Sequence, residues 1–185
     1  MDGHETCWHG SSDFSMDLKE FVRLVPDFPL EGILYRDITP MLSEPRAYQY
    51  VIDSIYEEYR NHNIDVVLGV EARGFIFAGP VAYKLKASLV PARKQGKLPF
   101  HTNKASYSLE YNKDTLELHK DAIAMGENVL IVDDLLATGG TIEAAVNLVE
   151  QSNAKVEGIA VVIEIASLNG RKKLSGYKLA SLLLS

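Results

Sequence analysis

The residues best suited to chemistry stand together at 133–141. Asp133 and Asp134 follow the apolar run Val129-Leu-Ile-Val132 and precede Leu-Leu-Ala-Thr-Gly-Gly-Thr. Adjacent carboxylates are hydrogen-bond acceptors and suit the hydroxyls of a sugar diol. The turn after them, formed by Ala137, Thr138, Gly139, Gly140 and Thr141, leads into a helix expected from about Thr141. Backbone N–H groups at a helix start, with two threonine hydroxyls, cradle a phosphate. Glycine lets the chain approach such an anion closely and adopt positive φ. Diol and phosphate side by side describe a ribose 5-phosphate. The stretch has neither the Gly-Lys-Ser/Thr of a nucleoside-triphosphate loop nor the G-x-G-x-x-G of a dinucleotide fold. The plain alternative is that the acids cap the helix and the glycines merely make the turn.

Charge distribution points the same way. The chain has 185 residues, with 19 Lys+Arg against 25 Asp+Glu and a net charge of −6. Such an acidic protein is poorly suited to a nucleic-acid backbone. Yet residues 72–109 contain no acid and seven cations, Arg73, Lys84, Lys86, Arg93, Lys94, Lys97 and Lys104; against the overall −6, that leaves −13 for the remainder. A basic zone on an acidic body suggests a local anion site, the alternative being lysines on a solvated face.

Hydrophobic residues make up 46% and charged residues 24%, a globular composition. Cys7 is the one cysteine, so no intrachain disulfide forms, and no apolar run reaches the ~18 residues of a membrane helix. A cytoplasmic protein is expected. Residues 1–15 read as a disordered extension, with His4, Cys7 and His9 too few and too loosely placed to define a metal site; Met16 could be the native start.

The elements that must position these residues can be read from periodicity. Leu18, Phe21, Val22 and Val25 predict a short opening helix, Pro26, Pro29 and Gly32 a turn, and residues 32–40 an extended stretch. Pro45 starts a helix with Tyr48, Val51, Ile52, Ile55 and Tyr59 on one face. Residues 64–70, 88–92, 129–132 and 156–163 read as strands, mostly buried on both faces, with helices over 74–85 and 141–149. Residues 107–119 alternate as a hairpin turning near Asn112-Lys113-Asp114. Strands alternating with helices predict an α/β fold around a central, mostly parallel sheet flanked by helices.

Residues 129–141 closely resemble the phosphoribosyl-pyrophosphate (PRPP) motif of type I phosphoribosyltransferases, and the Leu-Leu-Ala-Thr-Gly-Gly-Thr wording resembles the adenine-using members. The likeness runs from about Leu18 to the C-terminus. Phe28-Pro-Leu-Glu-Gly-Ile-Leu-Tyr-Arg-Asp-Ile-Thr-Pro40 resembles the base-binding hood, and Val70-Glu-Ala-Arg-Gly-Phe75 the pyrophosphate loop. Arg93-Lys-Gln-Gly-Lys-Leu-Pro99 and Tyr107-Ser-Leu-Glu-Tyr111 resemble the next strand end and the flexible catalytic loop. The resemblance implies a single domain over 16–185 with a hood at about 26–42 and a flexible loop at about 100–119. It implies a homodimer that converts adenine and PRPP to AMP and pyrophosphate with Mg²⁺, the metal held mainly by PRPP and water with no obligate protein ligand. No nucleic-acid or membrane partner is expected.

Residue roles follow from the resemblance. Arg73, with Glu71 and Ala72 in its loop, matches the pyrophosphate-binding arginine, whose guanidinium forks onto two oxygens. Arg93, Lys94 and Lys97 are the next candidates; Lys84 and Lys86 read as ordinary surface charge. Asp133 and Asp134 would hold the diol and steady positive charge on the ribose as pyrophosphate leaves. Glu110 matches the loop carboxylate that handles a proton on the base, with Tyr107 and Tyr111 beside it to contact ligand or partner subunit. Tyr35 would stack on adenine, Leu135 would cover the ring's other face, and main-chain groups of Leu34 and Arg36 would read its edge. The final strand would centre on residues 177–182. Glu31 stands where the family commonly has proline, and Asn112 where it has glycine. Other bases (hypoxanthine, guanine, xanthine, orotate) remain alternatives, as does a regulator that senses PRPP without catalysis; Arg73 and Glu110, and the lack of an appended DNA-binding region, favour the enzyme.

Overall fold

Nearly continuous β-branched segments cannot leave either face in water, so they stack side by side under helices on both sides. The computed structural model describes residues 16–108 and 113–185. In chain order the elements are β1 (Arg23–Val25), β2 (Tyr35–Asp37), α1 (Thr39–Ser43), α2 (Pro45–Tyr59), β3 (Val66–Val70), α3 (Gly74–Leu85) and β4 (Ser88–Lys94). There follow β5 (Thr102–Ser108), β6 (Lys113–His119), β7 (Asn128–Leu136), α4 (Gly140–Gln151), β8 (Lys155–Glu164) and β9 (Leu179–Leu184).

Seven strands form one sheet in the order β5-β6-β4-β3-β7-β8-β9. β4, β3, β7, β8 and β9 run parallel, and the β5–β6 hairpin adds antiparallel to β4. Alternate side chains divide between two cores. Val66, Leu68, Val70, Val129 and Ile131 face α4, whereas Val67, Leu130 and Val132 face α2 and α3. The chain leaves β3 toward β4 on one side and later returns as β7 on the other. A crevice opens beyond the carboxyl ends where the winding reverses.

Two details show how the helices are secured. Pro80 lies inside α3 and has no N–H to give the carbonyl of Ile76. The Tyr48 hydroxyl on α2 donates to that carbonyl instead, at 2.7 Å. On β8, Gly158 makes room for Tyr59, whose ring is fully buried and whose hydroxyl donates to Ile159 O at 3.0 Å.

Three expectations need correcting. The opening helix is a single 3-10 turn, Leu18–Phe21, followed by β1, which pairs antiparallel with β2. Val25 precedes Pro26, which disfavours helical backbone there, and the apolar side chains find cover against the sheet and hood instead. The extended stretch ends at Asp37, because its carboxylate accepts from the backbone N–H and hydroxyl of Thr39 (both 2.9 Å) and launches α1 with Pro40 in its first turn. The central strand β7 continues through both aspartates to Leu136 rather than ending at Val132. Residues 1–15, read as disordered, lie outside the described residues. Among the described residues no helix is long and apolar enough to cross a membrane.

A side chain at Gly158 would collide with the Tyr59 ring, whose Cζ and hydroxyl oxygen both lie 2.9 Å from a built Cβ. Gly158→Ala should therefore destabilise the fold by about 1–3 kcal/mol through overpacking, read as a lower urea midpoint. An unchanged midpoint would show that the ring can move aside.

Candidate active site

The two aspartates are strand residues in an unusual position. β7 outruns β3, which it last pairs at Gly69↔Val132, but stays paired with β8 as far as Leu136↔Glu164. The strand that should cover Asp133 and Asp134 on one side is therefore missing, and the crevice lies there. Both remain buried, at 7% and 5% exposure. Burial pushes both carboxyls above their usual range. Asp133 rises furthest, because its neighbour's charge adds to the desolvation. For Asp134 the guanidinium of Arg73 opposes the rise. Asp133 Oδ1 accepts from the Asp134 N–H at 2.8 Å, which fixes its orientation. Gly74, just after Arg73, lets the two loops meet: a Cβ there would lie 2.9 Å from Asp133 Oδ1 and from Val132 O. Sequence reasoning did not single out Gly74, although its place between an arginine and a helix start was the available signal.

Arg73 stands at the N-terminal end of α3, after a cis Glu71–Ala72 peptide. Its Nε lies 2.9 Å from Asp134 Oδ2, in charge contact but outside hydrogen-bond alignment. Its Nη1 donates to the Tyr35 hydroxyl at 2.8 Å and to Arg36 O at 3.2 Å. Arg73 forms no ion pair with the neighbouring Glu71. Glu71 instead accepts from Lys97 Nζ (2.7 Å), the Lys94 N–H (2.9 Å) and Arg93 Nε (3.2 Å). Burial raises its carboxyl, but these three donors more than offset the rise and hold it below the usual range.

The seven-cation zone is thus largely internally neutralised. Lys94 pairs with Asp114 at 3.0 Å, Lys104 with Glu117 at 2.8 Å and Lys84 with Asp53. Of the three further cations proposed for pyrophosphate, Lys94 lines the crevice, whereas Arg93 and Lys97 lie outside its wall and serve Glu71.

The turn after β7 has the shape the phosphate reading needs. Gly139 has φ +83° and a built Cβ would meet Gly170 O at 2.7 Å, so glycine is required there twice over. α4 begins at Gly140, and its first N–H groups have no partner within the helix. Gly170, in the 3-10 turn Gly170–Leu174, packs back on Ala137 O and on Gly139 N, where a built Cβ would stand 2.9 Å away. That cross-chain contact left no local mark in the sequence.

Two cavities adjoin here. One, about 440 Å³, is walled by Glu71, Ala72, Arg73, Lys94, Tyr107 and residues 133–142. The other, about 430 Å³, lies between hood residues 32–36 and Ile165, Ser167 and Leu168. Leu135, Ala137 and Thr138 belong to both walls. Tyr35 thus faces the second cavity, its ring packed edge-on against Phe28 at 5.1 Å between centres. Leu34 and Arg36 line it too, though their carbonyls are engaged, Leu34 O by the Arg36 guanidinium (2.7 Å) and Arg36 O by Arg73. Ile165, Ser167 and Leu168 were missed; they follow the carboxyl end of β8, where the rule that ligands sit beyond strand ends would have placed them.

Tyr107 departs from its expected setting on the flexible loop. It belongs to β5, is 9% exposed, and its hydroxyl lies near the side chains of Thr141 and Asp114. The hairpin brings it to the crevice wall because Tyr107 pairs with Asp114 across the strands. Glu110 and Tyr111 lie outside the described residues.

Known proteins share this sequence and fold. The family described as "Phosphoribosyl transferase domain" matches residues 39–181. The adenine phosphoribosyltransferase of Maridesulfovibrio salexigens is 51% identical over 168 residues, 91% of this chain and 99% of that protein. The Koribacter versatilis adenine phosphoribosyltransferase is 54% identical over 90% of this chain and 91% of its own. Among solved structures, the adenine phosphoribosyltransferase of Thermoanaerobacter pseudethanolicus superposes with a TM-score of 0.88 at 46% identity, covering 91% of this chain and 98% of that one. The Saccharomyces cerevisiae enzyme, solved with an imino-altritol bisphosphate and adenine, gives 0.84 at 42% identity over 90% and 96%.

The Glu71 cluster carries a pH signature. A carboxyl held low in the folded state contributes stability above its ordinary value of about 4.5 and loses it as pH falls through the folded value. Glu71→Gln should lower stability at neutral pH by about 1–3 kcal/mol and flatten the acid limb of the stability profile. A variant with the wild-type acid limb would show that the cluster does not hold the carboxyl low.

Proposed function

The chain belongs to the phosphoribosyltransferase family, and we propose that it is an adenine-using member whose two adjoining cavities hold the two substrates. It transfers the 5-phosphoribosyl group of PRPP to N9 of adenine, giving AMP and pyrophosphate, a purine-salvage reaction. The observation that carries the site reading is the shared wall. A base in the hood cavity and a ribose phosphate in the crevice meet across Leu135, Ala137 and Thr138.

Adenine lies between Tyr35 and Leu135 in the hood cavity. The 5-phosphate rests on the N–H groups of the turn from Ala137 to Thr141, and the diol faces Asp133 and Asp134. Their burial makes them strong acceptors for hydroxyls, since few waters compete. As the bond from C1 of the ribose to pyrophosphate breaks, positive charge grows on the sugar beside the two carboxylates. Negative charge grows on the leaving group beside Arg73. Both are stabilised by groups already oriented for them. Glu110, on the link between β5 and β6, takes up the base's proton as N9 attacks.

Mg²⁺ belongs to the same reading, carried by oxygens of PRPP and by water. The donor set fits this arrangement: among the described residues no three His, Cys, Asp or Glu side chains gather to hold a metal, and Asp134 Oδ2 accepts no hydrogen bond. When bound, the ion offsets the charge of the departing pyrophosphate. We extend the reading to a homodimer, supported by the exposed apolar side chains of Tyr83 on α3 and Leu89 on β4, and to the cytoplasm, in keeping with a single cysteine.

Protein mixed with PRPP, Mg²⁺ and each base in turn tests the reading by nucleotide analysis. AMP from adenine is the expected product, and no nucleotide from any base would overturn it. Glu110→Ala should cut kcat by roughly a hundredfold or more, the scale of general acid–base catalysis, with PRPP binding largely retained. Wild-type turnover in that variant would remove Glu110 from the mechanism.

A further inference from the structure

Stacking on a base uses the face of Tyr35 and leaves its hydroxyl unexplained. That hydroxyl points away from the base cavity's needs and accepts from Arg73 Nη1 at 2.8 Å. Both N–H groups of Nη1 are occupied, by Tyr35 and by Arg36 O, while Nε faces Asp134. The guanidinium carbon stands 5.1 Å from the centre of the Tyr35 ring, so the cation also lies against the aromatic system. Among the described residues Nη2 makes no hydrogen bond, and Arg73 lines the phosphate crevice. Arg73 is thus anchored through Nε and Nη1, with one nitrogen left to donate.

We propose that the Tyr35 hydroxyl is a positioning group for Arg73, so that a residue of the base hood sets the affinity for the pyrophosphate end of PRPP. The inference rests on the reading of Arg73 as the pyrophosphate ligand. A long, flexible side chain bound at one point would have to be ordered when PRPP arrives, and that ordering weakens binding. Tyr35 and Arg36 O order it beforehand, from the hood side, and direct the remaining nitrogen at the incoming phosphate. Asp134 alone cannot do this, since its contact with Nε lacks hydrogen-bond alignment. Base site and phosphate site are therefore joined by one arginine held from both.

Tyr35→Phe removes the hydroxyl but keeps the ring, the edge contact with Phe28 and the strand pairing with Val25. Steady-state kinetics with PRPP and adenine varied separately, together with calorimetric titration of PRPP and Mg²⁺, read the effect. The PRPP KM and Kd should rise roughly three- to tenfold, the scale of an ordinary hydrogen bond's net contribution, and rise more than the adenine KM. In an Arg73→Ala background, adding Tyr35→Phe should leave PRPP Kd where Arg73→Ala alone puts it. If wild-type protein binds PRPP and makes AMP while Tyr35→Phe matches it in PRPP KM and Kd, the positioning role is overturned and the reading of the site stands. A rise of the adenine KM alone, or an equal effect in the Arg73→Ala background, overturns it as well. Wild-type protein that neither binds PRPP nor makes AMP overturns both.

Discussion

Two adjacent carboxylates buried near the carboxyl end of an interior strand make the constraint on which the rest of this structure depends. Charge taken out of water is costly unless it is paired, and paired carboxylates resist ionising together. Among the described residues, Asp133 and Asp134 have one cation between them, Arg73. Everything near them makes that pairing possible: Gly74 yields the space a side chain would fill, β3 stops short of them, and α3 starts where Arg73 can reach back. In the proposed reading, the hydroxyls of a diol would relieve the same shortage of donors. The cost of burying the acids is thereby linked to the ligand that would satisfy them.

The basic zone at 72–109 has a different meaning in three dimensions than in one. Its cations lie against Glu71, Glu117, Asp114 and Asp53, which are supplied by other strands and helices. Buried Glu71 and Glu117 oblige lysine and arginine to gather around them, since an unpaired buried carboxylate would be far more destabilising than the pair. Much of the local positive charge therefore belongs to the architecture of β4, β5 and β6. The proposed phosphate cradle would rely instead on oriented N–H groups at the start of α4, whose effect does not appear in a count of charges.

This contrast explains what was legible in the sequence. β3, α3 and β8 could be read closely because apolar periodicity records burial directly. So could the turn at 137–141, since positive φ and close approach demand glycine at fixed places. β7 was read short because its last residues include two acids, and a rule based on hydrophobicity ends a strand where carboxylates begin. Val25 was drawn into a helix because its spacing fits one, although Pro26 forbids it locally. The partners of Glu71 were out of reach, because pairing between residues 22 to 26 apart depends on the strand order. The same holds for Gly170 beside Gly139, where neither glycine marks the other.

That last contact extends the site's dependence to the end of the chain. Gly170 presses on the backbone of Ala137 and Gly139, so the turn after β7 packs directly against the 3-10 turn Gly170–Leu174. Arg171 holds that turn. It forks onto buried Glu164 through Nε (2.9 Å) and Nη2, and reaches Leu179 O (3.1 Å) and the Ser181 hydroxyl (3.1 Å) on β9. Burial raises the Glu164 carboxyl, but Arg171 and Ser181 hold it below the usual range, so the fork is ionic at neutral pH. Glu164 is also the residue of β8 that pairs with Leu136, the last residue of β7 before the turn. The phosphate turn is thus bounded by β7 and α4 along the chain and by one arginine–glutamate fork across it.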